Sequence, residues 1–234
     1  MKNTPKQHRR LVWDLPVRLF HWLLVIALVA AWYTSDGERG LIEYHLQIGY
    51  FVLGLILFRL VWGVIGTHHA KFSSFFPTKS RFIAYSKLTK KDKKHTTIGH
   101  NPVGALMVFA TLVLFLAQAV SGLFMKDDVF TTGPYFDSVS NSVQKLMSQI
   151  HHNAFDIIVA FAILHIAAIL YYFFGKKINL ISAMITGYKF RQEENEKIVK
   201  SSKLPLAIVV VLLVSLFLYW LLVLNIPVEE EFYF

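Results

Sequence analysis

Residues 151–174 read HHNAFDIIVAFAILHIAAILYYFF. A helix rises 1.5 Å per residue, so about 20 mainly apolar residues span a ~30 Å hydrocarbon layer, and this run meets that length. Within it stand His151 and His165, 14 residues apart. At 100° per residue they lie about 40° apart on one helix face and ~21 Å apart along its axis. An ionisable side chain at membrane depth is expensive and turns toward the bundle interior and a partner. Two of them on one face mark this run as a helix with a task.

Four further runs have the same character: 17–34, 45–66, 102–125 and 204–226. The first is expected to stay as a helix rather than leave as a signal sequence. Phe20 and His21 interrupt its start, and no small-residue cleavage site follows Tyr33. The chain of 234 residues is 55% apolar and 17% charged, against about 25% charged in a soluble domain, which excludes a disordered or collagen-like polymer. It contains no cysteine, which removes disulfides, thiolate metal sites and thioether-tethered haem.

The net charge of +9 is distributed by side. Segments 1–16, 67–101 and 175–203 carry 19 Lys/Arg against 5 acids, whereas segments 35–44, 126–150 and 227–234 carry 3 against 9. Cytoplasmic loops of membrane proteins concentrate Lys and Arg, so the N terminus is expected inside and the C terminus outside. The charge is therefore a topology signal, with no nucleic-acid partner implied. The run Lys90-Lys91-Asp92-Lys93-Lys94 reads as a solvated or headgroup-facing loop, and no internal repeat is present. The expected fold class is all-α: an integral-membrane four-helix bundle plus one additional C-terminal transmembrane helix.

Four histidines fall at span depth: His21, His45, His151 and His165. His8, His68, His69 and His95 read as surface residues. With the orientation above, His45 opens span 2 at the outer edge, level with His151. His21 lies ~18 Å from the outer end of span 1, toward the cytoplasmic side and level with His165. Two pairs result, one at each level. Facing imidazoles inside a helical bundle supply the two axial nitrogens that six-coordinate b-type haem requires, and the bundle supplies an apolar slot. The plainer alternative is four separately hydrogen-bonded interhelical or interfacial residues.

The motifs extend beyond the histidines. They include Trp13-Asp14-Leu15-Pro16-Val17-Arg18-Leu19-Phe20-His21-Trp22, Arg59-Leu60-Val61-Trp62-Gly63, Gly99-His100-Asn101-Pro102-Val103-Gly104, the stretch from His151 to His165, and Ala183-Met184-Ile185-Thr186-Gly187. Together they resemble the prokaryotic cytochrome b561 and nickel–iron hydrogenase b-type cytochrome family over about 11–190. The resemblance implies a di-haem transmembrane domain at 1–190. A linker, fifth helix and acidic tail, with Glu229-Glu230-Glu231, would fill 191–234. It implies two non-covalent b haems with iron held by His21 with His165 and by His45 with His151. It also implies a respiratory-chain electron carrier in a bacterial inner membrane, working between quinone and a redox partner protein such as a hydrogenase or a c-type cytochrome. Whether the carrier is itself an oxidoreductase or a component of one is left open, as is its oligomeric state. The fifth span departs from the four-helix family pattern.

Arg18, one turn before His21, and the deeper Arg59 are candidates for haem propionates or internal partners, the alternative being snorkelling to lipid phosphates. His100-Asn101, just before Pro102, are candidates for capping span 3 or lining a quinone or propionate site, the alternative being an ordinary loop. Asp156 sits about 140° around the helix from His151, away from that ligand. Gly49, Gly54, Gly63, Gly104 and Gly122 admit close approach of a macrocycle or a neighbouring helix. Two other function classes fit the composition. One is a histidine-lined proton or metal-ion transporter, which the sequence does not support with broken helices or inverted repeats. The other is a structural membrane anchor, which leaves four matched histidines unexplained.

Overall fold

The computed structural model describes residues 8–91, 97, 99–126, 131–191 and 199–227. In chain order the elements are β1 (His8–Leu11), α1 (Leu15–Thr34), α2 (Ile42–Ile65), α3 (Phe72–Phe75), α4 (Lys79–Lys91), α5 (Pro102–Gly122), α6 (Asn141–Leu170), α7 (Leu180–Thr186), β2 (Tyr188–Arg191) and α8 (Leu204–Tyr219). Helix α6 runs on through a π turn to Gly175, and α8 through another to Leu224. All five expected spans are present, as α1, α2, α5, α6 and α8, each long and apolar enough to cross a membrane. Large apolar side chains such as Ile26, Val113 and Leu216 point outward, as hydrocarbon solvent permits.

The helix ends follow from capping rather than from hydropathy. Asp14 accepts the Val17 amide at 2.8 Å and Pro16 occupies the first turn, so α1 begins at Leu15, two residues before the apolar run. Asn101 accepts the Gly104 amide at 2.7 Å and starts α5 at Pro102. The largest departure is α6, which starts ten residues before the expected span. There Val143, Leu146, Met147 and Ile150 recur at helical spacing in a segment too polar for a bilayer window.

The strands were not anticipated. β1 and β2 pair antiparallel, His8 opposite Arg191 and Leu11 opposite Tyr188. The ribbon continues as the Val12 and Trp13 amides donate to the Gly187 carbonyl at 2.8 and 3.1 Å. Gly187 takes φ +87°, a left-handed conformation suited to glycine, and terminates α7.

By backbone contact the chain falls into two compact units. The first comprises Met1–His21, Arg59–Ala110 and Phe161–Ile208. At its centre Asp14, 1% exposed, accepts hydrogen bonds from Trp62 Nε1 at 3.1 Å and from Thr67 Oγ1. The start of α8 is tied here: Leu15 N–H donates to Ser202 Oγ at 3.1 Å, and Lys203 Nζ donates to the Gly66 carbonyl at 3.1 Å. The second unit comprises Trp22–Phe58, Thr111–Ala160 and Val209–Phe234, with Leu53, Ile56, Leu112, Phe115 and Ile158 in its core. In it, α8 lays Leu218 against Gly54 of α2, and Tyr135 donates its hydroxyl to the Leu221 carbonyl at 2.7 Å. The fifth helix is thus part of the packing in both units. The acidic tail Glu229–Glu231, and Asp92, Lys93, Lys94 and His95 of the basic run, lie outside the described residues.

Asp14 serves three donors at once, so Asp14→Ala should lower stability by ~2–4 kcal/mol, through the lost cap and two orphaned donors. Thermal melting of the detergent-solubilised protein measures it, and Asp14→Asn should recover part of the loss.

Candidate functional site

His45 lies in the first turn of α2 and His151 one third of the way along α6, with ring centres 6.3 Å apart and planes at 77°. Each ring is fixed from behind. His45 Nδ1 is 2.9 Å from the Ala31 carbonyl, one of the last four of α1, which has no main-chain donor in its own helix and also accepts from Thr34 Oγ1 at 3.3 Å. His151 Nδ1 is 3.0 Å from the Gln118 carbonyl and 3.2 Å from Ser121 Oγ, both near the end of α5. A carbonyl only accepts, so each Nδ1 carries the proton and each Nε2 keeps its lone pair. This tautomer, set by a backbone carbonyl, is the usual preparation of a metal-ligating histidine. Gly122 completes the seat, since a Cβ there would stand 3.1 Å from His151 Cε1.

His21 of α1 and His165 of α6 form the second pair, with ring centres also 6.3 Å apart and planes at 54°. A metal–imidazole bond of ~2.0–2.1 Å plus ~1.2 Å from nitrogen to ring centre places two rings on opposite sides of one ion ~6.4–6.6 Å apart. A direct N–H···N bond of ~2.9 Å would place them nearer, at ~5.3 Å. Both separations, 6.3 Å, lie nearer the shared-ion spacing than the hydrogen-bonded one.

The three other candidates gather in the unit that holds His21 and His165. Arg59, 2% exposed, lies over the Phe72 ring at 4.8 Å, and its Nη1 is buried with no hydrogen-bond partner among the described residues. Arg18 donates from Nη1 to the Ile185 carbonyl, while its Nε is likewise buried without a partner. His100 stacks between Trp13, at 4.6 Å, and Phe75, at 4.2 Å, and its Nδ1 is buried with no hydrogen-bond partner among the described residues. Burial, and after it the neighbouring Arg59, Lys189 and His69, push the His100 pKa down to about 3. Capping of α5, expected of the pair His100-Asn101, falls to Asn101.

The surface assignment of His68 and His69 also needs correction. They are half-buried and stacked on each other with centres 5.1 Å apart. His69 is held down to about 4 by burial, then by His68 and Lys189. His95 and the side chain of His8 lie outside the described residues.

The sequence profile of the prokaryotic cytochrome b561 family matches residues 12–187, the stretch that holds both histidine pairs. The chain belongs to that family. It is similar to the probable Ni/Fe-hydrogenase B-type cytochrome subunit of Azotobacter chroococcum mcd 1, with 26% identity over 226 residues, 82% of this chain and 93% of the relative. The corresponding protein of Azotobacter vinelandii is 25% identical over the same shares. That of Cupriavidus necator is 24% identical over 76% of this chain and 86% of the relative. No solved structure matches the chain.

This b-type cytochrome is accordingly a multi-pass membrane protein of electron transport. Its residues fit a non-covalent haem. No thiol is available to tether one, and the lone pairs at His45 and His151 are free to ligate. Gly49, one turn beyond His45, would carry a Cβ into open space, whereas Gly54, Gly63 and Gly122 already receive Leu218, Phe72 and His151. Arg18 and Arg59 offer buried cationic donors of the kind that carboxylates take. Sequence reasoning missed Gln118, Ser121 and the Ala31 carbonyl. The small pair Ser121-Gly122 near the end of span 3 was the one visible signal, while a backbone carbonyl carries none.

Two outcomes follow. Gly122→Val should displace the His151 ring and remove or shift one redox component of the visible spectrum, with Ser121→Ala having a smaller effect. His100 is neutral when folded down to about 3 but titrates near 6.5 when unfolded. Over that window the unfolded state binds the extra proton, so stability falls as pH drops. Melting temperatures from pH 7.5 to 4.5 should show this slope, reduced in His100→Gln.

Proposed function

We propose that this protein is a di-haem b-type membrane cytochrome that carries electrons between the quinone pool and a partner redox protein. The observation that carries the reading is the recurrence of one geometry: two histidine pairs on facing helices, each with ring centres 6.3 Å apart. In this reading His45 and His151 hold one haem iron, and His21 and His165 hold the other. Bound haem supplies one-electron exchange at its iron, and double imidazole ligation leaves no position open to oxygen.

The chain's own residues do the rest. The Ala31 and Gln118 carbonyls hold the Nδ1 protons and so present Nε2. Arg18 and Arg59 receive propionates, and their charge raises the affinity of that site for an electron. His100, kept neutral beside Arg59, lines the propionates or a quinone headgroup. The relatives named as hydrogenase cytochrome subunits support a hydrogenase as the redox partner. The lysine and arginine bias supports a bacterial inner-membrane location with the N terminus inside and the C terminus outside. The protein then acts as the electron-transfer component of a quinone-linked oxidoreductase.

Pyridine haemochrome assay of the purified chain should give two haem b per polypeptide; one per polypeptide, or a c-type spectrum, overturns the reading. In potentiometric titration, His45→Ala and His151→Ala should abolish the same component, and His21→Ala and His165→Ala the other. Loss of one component by both His45→Ala and His165→Ala would show that the partners are misassigned.

A further inference from the structure

Helix α4 reads KSRFIAYSKLTKK, with five cations and no acid. Lys90 and Lys91, expected in a loop, form its last turn. The contacts that hold α4 lie on one side. Tyr85 Oη is 3.1 Å from Tyr172 Oη, and Arg81 Nη1 donates to the Ser74 carbonyl at 2.9 Å. Phe82 and Thr89, within about 60° of Tyr85 around the axis, are half-buried. Lys79, Ile83, Lys87, Lys90 and Lys91 all fall within about 60° of the opposite direction, and all are exposed. They form a basic stripe ~18 Å long that turns away from the protein.

Charge and level together say what meets the stripe. Among the described residues, the only acid of the unit that holds α4 is Asp14, which is buried and already accepts from Val17, Trp62 and Thr67. The stripe has no counter-charge there. Tyr172 lies in the π turn that ends span α6, and its hydroxyl also accepts from Asn101 Nδ2 at 3.3 Å, immediately before span α5. Tyr85 thus ties the middle of α4 to the place where two spans leave the hydrocarbon. Lys176 adds a cation at the same level, its Nζ 4.7 Å over the Tyr172 ring. That is the depth of the lipid phosphates. Attraction between lysines and anionic headgroups decays within a Debye length of ~8–10 Å, so it acts on a helix held at this depth.

We propose that the basic stripe of α4 binds the anionic phospholipid headgroups of the adjoining leaflet. The assignment uses neither histidine pair and stands apart from the number of haems and from the quinone.

The test exploits a chain without cysteine. Ile83→Cys places a nitroxide in the middle of the stripe of the full haem-loaded protein in lipid nanodiscs, and electron spin resonance reads its collisions with the neutral relaxant Ni–EDDA. Replacing part of a zwitterionic bilayer with phosphatidylglycerol should cut the collision rate at least threefold, and about 0.5 M salt should reverse most of that change. With Lys79, Lys87, Lys90 and Lys91 all exchanged for Gln, the two bilayers should read alike at unchanged haem absorbance per chain. Should the fourfold variant lose haem, the salt comparison on the unexchanged lysines decides. Equal collision rates for the lysine-bearing stripe in both bilayers overturn the proposal, as does a phosphatidylglycerol effect that survives salt or the four exchanges. Protection seen in native membranes but not in anionic nanodiscs overturns it too, because it would place a protein on the stripe.

Discussion

A nitrogen-bound proton has no water to go to at membrane depth, and the arrangement of the helices around His45 and His151 answers that constraint. Each imidazole gives its Nδ1 proton to a carbonyl near the end of a neighbouring helix, Ala31 of α1 or Gln118 of α5. Both carbonyls also accept from a hydroxyl of their own helix, Ala31 from Thr34 at 3.3 Å and Gln118 from Ser121 at 3.0 Å, so each gives a further lone pair to the imidazole. The contact satisfies a ring N–H that would be costly alone, and it fixes which nitrogen looks into the bundle.

In the unit that holds His21 and His165 a buried carboxylate plays the organising part. Asp14 begins α1, receives the indole N–H of Trp62 and the hydroxyl of Thr67, and lies near enough to Arg59 to act on its charge. A buried anion with three hydrogen bonds is well placed to coexist with a buried guanidinium, since each lowers the cost of the other. That leaves an Arg59 nitrogen still unsatisfied, in a region that also contains the unpaired His100 Nδ1 and Arg18 Nε. The two unsatisfied arginine nitrogens suit the carboxylates proposed for this region.

Much of this was legible beforehand, and the boundary is physical. Length and apolarity identified five spans because a bilayer imposes one thickness on every helix. The spacing of His151 and His165 revealed a shared face because helical phase is additive. Helix starts were misplaced where capping decided them, at Asp14, and α6 began early because an amphipathic turn outside the lipid has no hydropathy signature. The ribbon of β1 and β2 was invisible, since its two halves are short, basic and distant in the chain. His69 was misread as a surface group because the doubled histidines sit in a polar loop. Its burial depends on Gly99, which the fold brings against its ring. The carbonyls behind His45 and His151 could not be read at all, because every residue has one.

The ribbon has a consequence in time. Strand β1 is made before its partner β2, which lies about 180 residues later in the chain. At ~5–20 residues per second, roughly ten to forty seconds separate the synthesis of the two strands. Trp62 and Thr67 reach Asp14 much sooner, so α1 is anchored while β1 is still unpaired. Closure of the ribbon then waits for α6 and α7, which makes it a late event that only a chain translated beyond Arg191 completes. A nascent chain arrested short of that point holds a strand with four main-chain partners missing, a ready mark by which an unfinished membrane protein differs from a finished one.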